Sequence, residues 1–442
     1  MTSVTEIGRA IKSVLGVVAD DVAREVGFTK RESKVTGSKF AQTTILGWLN
    51  RPDTSLSELS QSAASIGLMI SGQGIDERFT REAADLLHHV LNAALGQVIA
   101  ADPVAIPVMR RFSSVIVQDS SIISLPDALV DVWKGCGGSN GRITSALKIQ
   151  VRFDLLTGSL TGVMLEPGRT SDRGSALQSA SLPSKALRIA DLGYFSVEQL
   201  ADFDAQDVYF LTRLQLQTAL FLADDGGDGN RLQLSSILAA APADRVELRV
   251  MVGAMRRLPV RLLAIRLPDE VAQGRRRKVR KEARDKGEAP SQVRLRFADW
   301  NILITNVPES VLSLDEAMVL IRVRWQIELL FKLWKSNGKV DEWRTRKPWR
   351  ILCETYAKLT GMIIQHWLLL ASCWTCPNRS LVKAAQTIRQ FVPMIGSALA
   401  GIIDITLPIE QIQRCVAAGC RLNHRRHKPS TAQLLLALPT NP

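Results

Sequence analysis

Four absences bound what this 442-residue chain can be. The opening residues, MTSVTEIGRAIK, hold no apolar core and no cleavage pattern, so no secretory leader is expected. The apolar run Gly361–Trp374 includes Gln365 and His366 and is too short to span a bilayer, which predicts a buried helix and no membrane partner. Cysteine is scarce: six in all, five of them beyond residue 350, a pattern of free thiols in a reducing, cytoplasmic setting. Cys373 and Cys376 form a CxxC. The second pair, Cys415 and Cys420, has a longer spacer and the first continues an apolar helix, so a zinc set is poorly supported. Finally, no Gly-rich phosphate loop, Ser-His-Asp arrangement or HExxH occurs, which leaves several enzyme chemistries without their residues.

Basic charge is plentiful. Lys and Arg number 56 against 43 Asp and Glu, for a net charge of +13 and a pI near 9.7. A chain this basic most often meets a polyanion, nucleic acid first among them, although some cytosolic enzymes are merely basic. The length suffices for two or three domains.

Residues 1–100 are polar and helical in pattern. A helix is predicted over Lys39–Asn50, and Ser55 with Glu58 caps another that runs to about Ile66. Gly67 turns the chain, and Ser71 opens a short helix through Phe79. Ala63, Gly67 and Leu68 fit the corner of a helix-turn-helix, although Gln73 and Asp76 fall where apolar residues are wanted. A DNA-reading domain and a plain helical packing domain both fit. Glu82–Leu95 continues as a helix in which His88 and His89 read as surface or packing residues.

From Phe112 the period becomes that of strands. Ser114–Gln118 is a β-branched run ending on Asp119, and Ala146–Phe153 alternates Leu147, Ile149, Val151 and Phe153 inward. LTGSL turns that strand back into Gly162–Leu165, as in an antiparallel meander. Residues 175–185 are a helix or linker. Ala186–Ala190 is a strand ending on Asp191, and Val208–Arg213 is another. Carboxylates at the carboxyl ends of central strands stand where α/β sheets build ligand sites. An isolated Asp there is usually only a turn residue. Residues 214–299 are too many for a connection and read as an inserted subdomain with strands at Val246–Gly253 and Leu258–Leu267. The basic run 274–287 is a solvated face or a phosphate rail. Trp300–Thr305 returns as a strand.

The chain is organised around Ser313–Gly338, SLDEAMVLIRVRWQIELLFKLWKSNG. Ser313 with Glu316 forms a capping box, Gly338 is a stop, and nothing between breaks a helix, so one long helix is predicted. Arg324, Glu328 and Lys335 share one stripe at 100° per residue, with Lys335 about 10 Å along the axis from Glu328. That arrangement suits a carboxylate holding metal between cations gripping phosphate; an intrahelical Arg324–Glu328 pair fits the spacing equally. Beyond it, Trp343, Arg344, Arg346, Lys347, Trp349 and Arg350 interleave cations with indoles, a mixture suited to backbone contact and base stacking. Two Asp and a Glu, if convergent, could hold two Mg²⁺ or Mn²⁺ ions for in-line phosphoryl transfer.

The stretch IRVRWQIELLFKLWK resembles the YREK signature, Tyr-x2-Arg-x3-Glu-x6-Lys, of bacterial insertion-sequence DDE transposases of the insertion-sequence 4 family. Arg324, Glu328 and Lys335 match three of its positions; Ile321 stands where the family has Tyr, and so lacks the hydroxyl that can donate near the scissile phosphate. QDSS around Asp119 and IADLGYFS around Asp191 resemble the family's two aspartate regions, and the likeness spans about residues 40–430. The resemblance implies an α/β fold: an RNase H-like mixed-sheet core with an inserted β-rich subdomain, after a helical N-terminal domain and before C-terminal helices. The implied divisions are 1–105 for the DNA-binding helices, 106–213 and 300–375 for the core, 214–299 for the insertion, and 376–442 for the C-terminal helices and basic tail. It implies Asp119, Asp191 and Glu328 as the catalytic and metal-binding triad, with Arg324, Lys335, Lys332, Arg344 and Arg346 on DNA. Trp300 and Trp325 would hold a flipped base at a hairpin. The substrates implied are double-stranded DNA at inverted-repeat ends and at a target, handled by a homodimer at the bacterial nucleoid. A non-transposing endonuclease and an inactive, DNA-binding repressor are the alternatives.

Overall fold

A computed structural model describes residues 3–137, 143–222, 231–376, 378–422 and 429–438; most of the predicted basic tail Arg421–Lys428 lies outside them. The fold is mixed α/β. Its strands are β1 (Val115–Leu125), β2 (Lys134–Gly137), β3 (Ile143–Asp154), β4 (Leu160–Pro167), β5 (Leu187–Ala190), β6 (Tyr209–Arg213), β7 (Leu220–Leu222), β8 (Arg245–Val252), β9 (Leu258–Arg266) and β10 (Trp300–Thr305). The chain forms two compact units. One comprises Met1–Ala105, Asp119–Ser171 and Trp325–Pro429; the other comprises Ile106–Gln118, Asp172–Arg324 and Ser430–Pro442.

The first unit is largely helical. The helix Gly37–Asn50 starts where the Thr36 hydroxyl accepts the Lys39 N–H, and Leu56–Ser65 starts on the Ser55–Glu58 capping box. At its end Gly67 has φ +79°, a left-handed conformation that costs a residue without Cβ little, and Gly72–Asp76 then opens on Ser71. Asp76, out of place as an apolar packing residue, is used as an ion: it pairs with Lys347 at 2.6 Å and Arg350 at 2.9 Å. The helix Arg81–Leu95 follows Thr80. At the centre runs Pro348–Cys373, with Pro in its first turn and nearly every side chain from Ile351 to Leu370 buried. The predicted buried helix is thus the second half of a longer one, and it stops at Cys373 instead of running through CWTC. Its buried Glu354–Lys358 pair, 2.7 Å apart, is completed by carbonyls, since the Lys358 ammonium also donates to Lys339 O and Glu342 O.

In the same unit β3 and β4 pair antiparallel from Leu147↔Pro167 to Phe153↔Leu160, joined through the predicted turn. Leu147, Ile149, Val151 and Phe153 are buried as alternation requires, each such side chain contributing roughly 1.5–3 kcal/mol. The other face is buried too, with Lys148, Gln150, Arg152 and Asp154, and burial pushes the Arg152 guanidinium down to about 10.

The second unit is a sheet. β1 (Val115–Gln118), β5 and β6 run parallel; β6, β10, β9, β8 and β7 then alternate in direction. Phe210, Leu211, Leu262, Leu263, Leu303 and Ile304 are fully buried in it. The strands expected within the inserted subdomain extend the sheet of β6 and β10: β9 pairs with β10 from Trp300↔Arg266 to Thr305↔Arg261. The basic run is the helix Asp269–Asp285. Glu316, in the predicted capping box with Ser313, also takes a bidentate pair from Arg111, at 3.0 and 2.8 Å. Burial would raise its pKa, but the Arg111 and Ser313 hydrogen bonds hold it below the usual glutamate range.

Candidate active site

The register of β1 with β5 runs in parallel from Val115↔Leu187 to Gln118↔Ala190. The next residue on each strand is an aspartate, Asp119 and Asp191. Asp191 leaves its strand at once: half-buried, it opens a 3-10 turn over Leu192–Tyr194, and its side chain does not cap that turn. Asp119 does not end its strand as predicted. β1 continues to Leu125, past the last residue it pairs with β5, with Asp119 Oδ1 accepting the Ser120 N–H at 2.8 Å.

Below these aspartates lies a buried guanidinium that sequence reasoning missed. Arg188, 3% exposed on β5, donates to the Gln178 side-chain carbonyl at 2.8 Å and the Gln118 one at 3.3 Å. Gln178 in turn donates to Tyr194 O at 3.3 Å. One cation is thereby tied to the residue before Asp119 and to the turn that Asp191 opens, and it lies over the Phe203 ring at 5.0 Å. The signal was present: an Arg inside a four-residue strand otherwise apolar, LRIA. Asp172 was also missed; a Cβ on Gly193 would lie 2.9 Å from its carboxylate, which sets a further acidic group beside the Asp191 turn.

Glu328 lies on a helical run that is continuous in chain but not in pitch, contrary to the single helix predicted. An α-helix over Leu314–Leu320 passes into a 3-10 turn over Ile321–Arg324, an α-helix over Trp325–Lys332 and a π turn over Leu333–Asn337. A uniform 100° step therefore does not relate Arg324 to Lys335. The wider π turn lets two successive residues, Leu333 and Trp334, both face the core. Leu320, Ile327 and Leu330 are buried, and Glu328 is half-buried. Lys335 is braced within the first unit: its ammonium donates to Ile122 O at 2.8 Å, three residues beyond Asp119 on β1, with the Asp341 carboxylate 3.9 Å away.

The other predicted contacts divide by burial. Lys332, Arg344 and Arg346 are exposed and Arg324 is half-buried. Trp325 is 55% exposed, whereas Trp300 is 4% exposed in the core of β10, its ring under Arg266 at 4.7 Å. Asp119 and Glu328 belong to the first unit and Asp191 to the second.

The chain thus combines a strong basic excess with an aspartate next after the paired stretch of each of two parallel strands. The chain belongs to the transposase DDE domain family, whose model matches residues 110–363. It is 28% identical over 442 aligned residues to the transposase for insertion sequence element IS231F of Bacillus thuringiensis subsp. israelensis, covering 94% of this chain and 91% of the relative. The transposase for IS231B of Bacillus thuringiensis subsp. berliner is 27% identical, covering 78% and 75%, and that for IS1151 of Clostridium perfringens is 24% identical, covering 79% and 77%. It is a DDE transposase, an enzyme that cleaves DNA and transfers strands and depends on divalent metal. Among the described residues no helix is long and apolar enough to cross a membrane.

Proposed function

We propose that Asp119, Asp191 and Glu328 form the catalytic and metal-binding triad on an RNase H-like core, cutting an insertion sequence at its inverted-repeat ends and joining it to target DNA. The observation that carries this reading is the parallel register of β1 and β5, which stops at Gln118↔Ala190 with an aspartate next on each strand. The donor set is all oxygen, and Asp191 does not spend its carboxylate on the turn it opens, which fits hard ions such as Mg²⁺ or Mn²⁺. Two such ions would activate water or a 3′-hydroxyl and stabilise the leaving oxygen.

The chain's own residues supply the rest. Arg324 and Lys335 take non-bridging phosphate oxygens of the strand being cut. Lys335 does so from a position braced on the Ile122 carbonyl. Trp325, the exposed indole of the pair, stacks a base displaced at the hairpin, while Trp300 supports the sheet from within. Lys332, Arg344 and Arg346 neutralise flanking phosphates, and the N-terminal helices read the inverted repeat. A homodimer at the nucleoid holds the two ends, as the resemblance to the insertion-sequence 4 family implies. Ile321 removes one hydroxyl from this scheme, and end contacts must be arranged without it. The test is metal-dependent nicking, hairpin formation and joining on a duplex that carries the element's own end.

A further inference from the structure

The helix Asp269–Asp285 carries a charge pattern that the chemistry above does not use. Its attachment is one-sided. Ala272 and Ala283 are buried, Arg275 donates to Trp300 O at 3.1 Å, and Arg276 pairs with Asp299. At 100° per residue these four, with Val279, fall on one side of the helix, within an arc of about 100°. Arg277, Arg280, Lys281 and Arg284 fall within about 100° on the opposite side, and all four are exposed. They rise over about 10 Å of helix axis. Of the acidic neighbours, Glu282 is turned aside into a pair with Arg294 at 2.7 Å, and Glu270 shares their side but stands two turns back in the first turn. Asp285, exposed and four residues after Lys281, is the one carboxylate beside them, which leaves the four cations in excess.

Anchoring two arginines inward leaves four cations on the exposed side, a comb of positive charge. We propose that this helix is a sequence-independent docking surface for the phosphate backbone of double-stranded DNA, outside the residues assigned to the reaction. The inference rests on the reading of the chain as a DNA-cutting enzyme. Backbone phosphates are the fitting ligand because B-DNA presents a charge every ~1.7 Å of axis, so a 10 Å comb meets several at once.

The experiment uses the full chain and a triple variant, Arg277→Gln with Lys281→Gln and Arg284→Gln. Equilibrium binding is measured across a salt series on two duplexes, one carrying the element's end and one of unrelated sequence, with nicking of the end duplex in parallel. Each lost phosphate contact should reduce the slope of log K against log salt by ~0.9, so the triple variant should lose up to about 2.7. A reduction on both duplexes locates the helix on any DNA, including target. A reduction on the end duplex alone would contradict sequence-independent docking. An unchanged slope on both, while the wild type still nicks, overturns the inference. Failure of the wild type itself to nick would instead count against the underlying function.

Discussion

Arg188 is the residue on which the geometry near the aspartates turns. It is buried, charged and shared between Gln118 and Gln178. Replacing it with Met would remove the guanidinium donor to two buried amide carbonyls, at about 1–3 kcal/mol of stability. It would also loosen both the residue before Asp119 and, through Gln178, the Tyr194 carbonyl of the Asp191 turn. The expected outcome for Arg188→Met is a lowered melting temperature with nicking reduced well beyond any loss of DNA binding. Arg188→Lys, with one ammonium in place of a planar fork, should recover stability better than nicking. Thermal melts read beside nicking and binding on one end duplex check this; parallel losses of binding and nicking would reduce Arg188 to a structural residue.

At the scale of elements, the helical run around Glu328 is held at both ends. The Arg111–Glu316 pair fixes its start and a close packing fixes its stop: a Cβ on Gly338 would lie 2.4 Å from Met362 Sδ and 2.5 Å from the Trp334 carbonyl. Gly338→Ala should therefore cost about 1–3 kcal/mol by overpacking, read as a shift in urea midpoint, even though φ there is an ordinary −83°. The helix stop was legible because glycine is a local signal. The caps at Ser55 and Ser313, the turn at Gly67 and the alternation in β3 were legible for the same reason. The 3-10 and π turns were not, since they arise from burying Leu333 beside Trp334 and from where the helix meets its neighbours. β1 running past Asp119 was missed because the β-branched run that marked the strand ends before it, at Gln118. The strands that lead to Asp119 and Asp191 were legible from their β-branched runs; Arg188 stood in LRIA as an Arg among apolar residues, but no spacing rule singles out a buried cation.

For the whole molecule, acid stability follows from His366. Burial, opposed only in part by its hydrogen bond with Gly158 O, pushes its pKa down to about 4. An unfolded chain binds that proton near 6.5, so the contribution is fully present above that pH and is lost as pH falls toward 4. The loss is on the order of 3 kcal/mol, and urea midpoints between pH 7 and 4 should fall accordingly, less steeply in His366→Gln.

The central claim is that one enzyme, with Glu328 among its metal-holding carboxylates, breaks and joins DNA at an element's ends. Its most direct test is nicking of a labelled end duplex in Mg²⁺ or Mn²⁺ by the wild type and by Glu328→Gln. The wild type should nick only with metal, and the variant should bind the same duplex but leave it intact. Nicking by the variant at the wild-type rate would contradict the assignment.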